Sequence, residues 1–157
     1  MKNQSLDKLL AEYTPMVYRL ALAKTGNADI AHDVAGQTFL TLLEKEPHFS
    51  DKEQLKVWLL ATARKRAAME LRRFENSHTV PFEKEWRHGI TDPLDFEFYD
   101  LLSKLPETLR EVTVLFYIED MSVKDIARTL SLTVTNVKTR LCRARDVLEK
   151  IYKEEIL

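Results

Sequence analysis

One cysteine, Cys142, stands in 157 residues. No disulfide framework can therefore hold the chain, which points to a reducing environment and a fold that rests on apolar burial. Glycine occurs only three times, and no sustained alternation of apolar and polar residues marks strands. Helices are expected nearly throughout, punctuated by Pro15, Pro47, Pro81, Pro93 and Pro106. No apolar run approaches the roughly 20 residues that a membrane-spanning helix needs. The opening MKNQSLDKLL is too polar for a secretory signal, so the sequence predicts a cytoplasmic protein without membrane insertion. His32, His48, His78 and His88 are isolated and lack metal-ligand spacing. With no glycine-rich phosphate loop, nucleophile–base pair or paired acid, neither an enzyme nor a bound cofactor or metal is expected.

Net charge is only −1, but it is unevenly spread. Lys and Arg outnumber Asp and Glu by 7 to 4 over residues 51–75 and by 7 to 3 over 121–150, whereas 76–100 holds 2 against 6. Two basic blocks thus flank an acidic one. Within the acidic block, ENSHTVPFEKEWRHGITDP carries two prolines and Gly89 and breaks the helical pattern. It reads as a linker, or as a surface loop anchored by Phe82 and Trp86. The predicted plan is residues 1–75 as one helical domain, 76–94 as the linker and 95–157 as a second helical domain.

In the second basic block, MSVKDIARTLSLTVTNVKTRLCRARDVLEK, Ser122 followed by Asp125 starts a helix that turns Val123, Ile126, Ala127 and Leu130 inward. The pattern breaks at Ser131 to Thr133, and Thr133 caps a second helix. There Val134, Val137, Leu141, Ala144, Leu148 and Ile151 form one apolar stripe. The opposite face holds Thr135, Lys138, Thr139, Cys142 and Arg143, flanked by Asn136, Arg140 and Arg145. Short hydroxyls and an amide near the N-terminus, followed by long cations, suit a helix laid in the DNA major groove. A helical hairpin with a solvated basic face is the other reading. Cys142 on that face suits packing against a thymine methyl or a sugar; Arg143 and Arg145 beside it would favour a thiolate if it served as a redox switch.

The first basic block, Leu55 to Arg73, shows a narrow inner face of Leu60, Ala63, Ala67 and Leu71. Trp58, Thr62, Lys65, Met69 and Arg72 lie opposite, flanked by Arg66 and Arg73. Cations follow phosphates and flat side chains stack on unpaired bases, so this face suits single-stranded DNA; Trp58 also reads as a core residue. In the preceding helix, Ile30, Ala31, Val34, Ala35, Thr38 and Leu42 turn inward. Asp29, Asp33, Gly36, Gln37 and Leu40 stay outside, a face suited to a protein contact.

Leu102 to Leu148, LSKLPETLREVTVLFYIEDMSVKDIARTLSLTVTNVKTRLCRARDVL, resembles region 4 of the extracytoplasmic-function (ECF) class of bacterial RNA polymerase sigma factors, through LP-x-x-x-R-x-V, MSVKDIA and VKTRLCRAR. YRLALAKTGNADIAHDVAGQTFLTLLEK followed by LKVWLLATARKRAAMELRRF is similar to sigma region 2. The resemblance implies an all-α, two-domain protein, a region 2-like bundle and a region 4-like helix-turn-helix joined by an acidic linker. It further implies core RNA polymerase and promoter DNA as partners, with an anti-sigma protein as a further candidate. The helix carrying Trp58 would read and open the minus-ten element, the helix carrying Arg143 would read the minus-thirty-five element, and the face of Asp29 and Asp33 would grip the basic clamp of the polymerase largest subunit. The chain departs from the family pattern at His32 and Gln37, which replace carboxylates, and at Gly36, which costs about 1 kcal/mol of helix stability relative to Ala. Lys65 and Met69 stand where the family often has Asn and Asp, and Ser131 replaces a turn glycine. A sigma-like regulator without initiation activity is the alternative that these departures raise.

Overall fold

The computed structural model describes residues 3–75 and 100–155, and every regular element among them is helical. The first three helices are α1 (Asn3–Thr25), α2 (Ala28–Lys45) and α3 (Lys52–Glu75). Local chemistry places their ends. Gly26 takes φ 66° beyond α1, a left-handed position that glycine adopts without a Cβ penalty. Asn27 then caps α2 by accepting a hydrogen bond from the Ile30 N–H at 3.0 Å. At the start of α3, Asp51 Oδ1 accepts from the Gln54 N–H at 2.8 Å, and Gln54 Oε1 accepts from the Ser50 N–H at 2.9 Å. The three helices pack against one another around Val17, Leu20, Val34, Leu59, Leu60 and Ala63, none of which has any exposed surface.

In the second half, α4 (Glu107–Thr113) runs directly into a π-helical turn, Val114–Ile118, followed by α5 (Val123–Leu130) and α6 (Val134–Glu155). Ser122 accepts from the Asp125 N–H at 3.1 Å and Thr133 from the Asn136 N–H at 3.0 Å, so both expected caps form. The helix-turn-helix of α5 and α6 is therefore present, with Ser131 as the turn residue at φ 56°. A Cβ at this φ is strained, and Ser131→Gly is expected to stabilise the chain by about 0.5–1 kcal/mol, read as a higher urea midpoint at unchanged slope.

One expectation about packing needs correction. The stripe on α6 is buried only in its middle: Val137, Leu141 and Ala144 are covered, Leu148 and Ile151 are half-buried, and Val134 is 40% exposed, because the first turn of α6 projects beyond the helices that cover it. The two halves also pack against each other. Val17, Leu20, Ala21, Leu22 and Ala23 of α1 are all at most 2% exposed, so this part of α1 is enclosed on every side. The enclosing elements include α4 and the π-helical turn as well as α2 and α3, while α5 lies against α3. One hydrophobic cluster runs through both halves. The segment read as a linker falls almost wholly outside the described residues.

Candidate functional site

Three surfaces gather the candidate residues. On α6, Thr135, Asn136, Lys138, Thr139, Cys142 and Arg143 are exposed and Arg140 is half-buried. They form one open face opposite the buried Val137, Leu141 and Ala144. Arg145 is exposed but engaged. Its Nε donates to the Tyr117 hydroxyl at 2.6 Å, and its guanidinium lies 5.8 Å from the ring centres of Phe116 and Tyr117. The π-helical turn thus holds a cation that helical periodicity alone assigns to the open face. The Phe-Tyr pair at 116–117 was the available signal.

The outer face of α3 joins part of α2 around a polar cavity of about 300 Å³, lined by Trp58, Thr62, Lys65, Arg66 and Met69 from α3 and by Gln37, Thr38, Thr41 and Lys45 from α2. Lys65 and Met69 are exposed, while Trp58 and Thr62 are half-buried. Trp58 is neither a free stacking platform nor a sealed core residue. Its ring meets Phe49 edge-on at 6.0 Å and 67°, which fixes the indole at the cavity wall. Arg66 Nε is buried with no hydrogen-bond partner among the described residues, 3.6 Å from a Glu70 carboxylate oxygen that also receives Arg73 at 3.3 Å. Arg72 and Arg73 are exposed beyond the cavity. The contribution of Thr41 and Lys45 was not foreseen, although Gln37, Thr41 and Lys45 recur at four-residue steps on one helix row. The cavity combines cations, hydroxyls and an aromatic edge, a donor set matched to a nucleotide's phosphate and base.

On α2, Asp29, Asp33, Gly36 and Leu40 are exposed and Gln37 is half-buried. The structure divides this face. Gln37 turns into the polar cavity, whereas Gly36 and Leu40 line a separate, largely apolar hollow of about 720 Å³ with Leu10, Thr14, Pro15, Tyr18, His32, Ala35, Phe39 and Leu43. Leu40 and Leu43 are 53% and 47% exposed, an apolar surface of the kind that marks a protein contact. The His32 ring lies 4.5 Å from that of Tyr18. Burial, helped by Asp29, pushes the Tyr18 hydroxyl above the usual phenol range, and that hydroxyl has no hydrogen-bond partner among the described residues. A Cβ at Gly36 would meet nothing within 4 Å, so no packing requires glycine there. His48 is exposed, whereas His78 and His88 lie outside the described residues.

The sigma-70 region 2 family model matches residues 9–76, and the sigma-70 region 4 model matches residues 95–148. The chain belongs to the ECF sigma factor family. It is 24% identical to the ECF RNA polymerase sigma factor SigM of Bacillus subtilis over 97% of this chain and 98% of that one. It is 29% identical to the ECF sigma factor EcfG of Rhodopseudomonas palustris over 92% of this chain and 83% of that one. Two solved structures share the fold. The sigma factor RpoE of Bartonella quintana, in complex with the anti-sigma factor NepR, aligns with TM-score 0.73 at 22% identity over 97% of this chain and 99% of that one. CnrH, in complex with the cytosolic domain of CnrY, aligns with TM-score 0.69 at 21% identity over 98% and 91%. This sigma factor binds core RNA polymerase and directs it to promoter DNA. Its region 2 match contains α2, α3 and both cavities, and its region 4 match contains α4, α5 and the open face of α6.

Proposed function

We propose that this sigma factor divides its work among the three surfaces. Asp29, Asp33, Gly36 and Leu40, with the apolar hollow beside them, take the polymerase clamp. Trp58, Thr62, Lys65, Arg66 and Met69 around the polar cavity, with Arg72 and Arg73 beyond it and Gln37 on its α2 wall, hold the opened minus-ten strand. Thr135, Asn136, Lys138, Thr139, Arg140, Cys142 and Arg143 read the minus-thirty-five element from the major groove, with Arg145 on their flank. The observation that carries the reading is the polar cavity. It sits between the α2 face and the basic face of α3, so a strand held there lies next to bound polymerase. The chain works in the cytoplasm, where polymerase and promoter meet, as a binding protein without catalysis of its own. An anti-sigma protein is a fitting further partner: the sigma factor RpoE, which has this shape, is bound by the anti-sigma factor NepR.

Run-off transcription with core polymerase, on DNA upstream of its own gene, tests the assignment. Arg143→Ala is expected to cost about 1–3 kcal/mol of promoter binding and to relax preference at one base pair if the guanidinium holds a base edge. A loss uniform over all sequences would make it a phosphate contact. Changing Arg72 and Arg73 together to Ala should slow opening of duplex DNA and spare a template already mismatched across the minus-ten element. Equal loss on both templates would assign these arginines to docking.

A further inference from the structure

One of the cations beside the open face of α6 is already held, and what holds it lies outside the helix-turn-helix. At VLFYI, Val114–Ile118, the chain widens into a π-helical turn, across which the Glu119 N–H donates to the Val114 carbonyl at 3.0 Å. Val114 and Leu115 have no exposed surface, whereas Phe116 is half-buried and Tyr117 is exposed. A wider turn brings successive side chains closer in angle than an α-helix does. The two rings meet edge to face, 4.9 Å apart at 80°, and the Arg145 guanidinium of α6 lies 5.8 Å from the centre of each. Its Nε donates to the Tyr117 hydroxyl at 2.6 Å.

We propose that Tyr117 is a positioning residue for promoter binding: it presets Arg145 to take a DNA phosphate at the edge of the minus-thirty-five element. The proposal rests on the assignment of α6 to that element. An arginine carries five N–H donors in a planar fork. The Tyr117 hydroxyl takes the donor on Nε, and the two terminal nitrogens make no hydrogen bond or ion pair among the described residues. The end of the fork, which matches a pair of phosphate oxygens, is thus left for a ligand. Of the residues three and four positions away on α6, only Glu149 is acidic, and it is paired with Lys153 at 2.9 Å. No acid on the neighbouring turns therefore draws Arg145 away.

Placement on α6 favours a phosphate over a base edge. Lys138 lies seven residues before Arg145, which is about 10 Å along the helix and about 20° around it. Both are exposed, so the two cations line one margin of the open face, beside the row that faces the floor of the groove. Phosphate contacts there fix the register of a protein on the duplex without reading sequence. A long side chain that is ordered only on binding loses rotamer freedom, a loss of about two- to tenfold in affinity. Bonded to Tyr117 and set between two rings, Arg145 has given up much of that freedom before DNA arrives. The hydrogen bond joins two exposed side chains, so its contribution to folding is small.

The test is a double-mutant cycle on the full chain assembled with core polymerase. The readout is affinity for a duplex promoter fragment recovered from a random DNA pool by the wild-type holoenzyme, over a range of salt. Arg145→Ala should weaken binding by at least about tenfold, uniformly over base changes in the minus-thirty-five element, and should lower the slope of log affinity against log salt by about 1. Tyr117→Phe keeps the ring and removes only the hydroxyl. It should weaken binding by about two- to tenfold with the slope unchanged, because the phosphate contact still forms, and it should have no further effect once Arg145 is alanine. Urea midpoints should stay near that of wild type. Should Tyr117→Phe fail to fold, Phe116→Leu decides the matter, since it takes away one ring and should weaken binding only where Arg145 is present. A folded Tyr117→Phe protein with wild-type affinity, or a loss that persists undiminished beside Arg145→Ala, would overturn the positioning role. A loss at Arg145→Ala confined to particular base pairs would overturn the phosphate contact. Arg143→Ala separates this proposal from the reading beneath it. If Arg143→Ala relaxes base preference while the Tyr117 and Arg145 variants bind as wild type, the positioning role falls and the α6 assignment stands; if no change at Arg143 or Arg145 alters promoter binding, the assignment itself falls and takes the positioning role with it.

Discussion

Asp33→Arg is expected to abolish measurable binding of core RNA polymerase while leaving the chain folded. Asp33 is exposed on α2, on the same helix as Leu40 and beside the apolar hollow, so the exchange buries nothing and leaves the helix interior untouched. At the interface it places a cation against the basic clamp, and juxtaposed like charges cost several kcal/mol. A loss of about 4 kcal/mol corresponds to nearly a thousandfold in affinity. The measurement is titration of purified core polymerase at two salt concentrations, because exposed charge interactions are screened over about 10 Å at 0.1 M ionic strength. A folded Asp33→Arg protein that binds as tightly as wild type would remove α2 from the polymerase contact. Gly36→Ala should accompany it as a gain. Nothing in the free chain stands where the new Cβ would go, so the substitution should add about 1 kcal/mol of helix stability, read as a higher urea midpoint. Gln37→Glu should behave differently from a simple repair of the family pattern. Gln37 lines the cavity that also holds Lys45, Lys65 and Arg66, so a carboxylate there would draw those cations away from a DNA strand.

Leu60→Ala should produce the largest loss of stability. Leu60 has no exposed surface and sits on α3, the helix that packs against α1, α2 and α5 alike. Truncating a fully buried leucine costs about 2–5 kcal/mol, through lost burial and the cavity left behind. For a chain of this size that is a large share of a total stability of about 5–15 kcal/mol. The expected result is a markedly lower urea midpoint by circular dichroism. Leu40→Ala is the contrasting case. At 53% exposure it should change stability by no more than about 0.5 kcal/mol yet weaken polymerase binding, since its role is assigned to the interface. A stability loss at Leu40 equal to that at Leu60 would contradict the exposure on which the assignment rests.

Much of this was legible along the chain because helices write their faces into periodicity. The caps at Ser122 and Thr133, the left-handed turn at Ser131, the inner rows of α2 and α3 and the open basic face of α6 each depend on residues within one or two turns. Local sequence therefore contains the relevant interaction. Periodicity is insufficient where a side chain's surroundings depend on a partner far along the chain. Val134 continues the stripe in sequence but lies beyond the reach of the covering helices. Arg145 has the right phase for the open face but is held by Tyr117. Trp58 is half-covered by Phe49, from the segment between α2 and α3, and Gln37 is turned from the face of Asp33 and Leu40 toward a cavity completed by α3.

By itself, the sequence determined the helical class, the helix-turn-helix, the family and the residue types offered to DNA and polymerase, because these follow from periodicity, capping and motif spacing. Only the tertiary structure decided that α1 is enclosed by both halves and that Glu111 meets Arg64 and Lys24. Residues 24, 64 and 111 lie on three helices, and no periodicity within any one of them specifies the others. Which charges become a buried cluster and which remain solvated is settled by how the helix faces pack, since burial removes the water that would otherwise satisfy each charge separately.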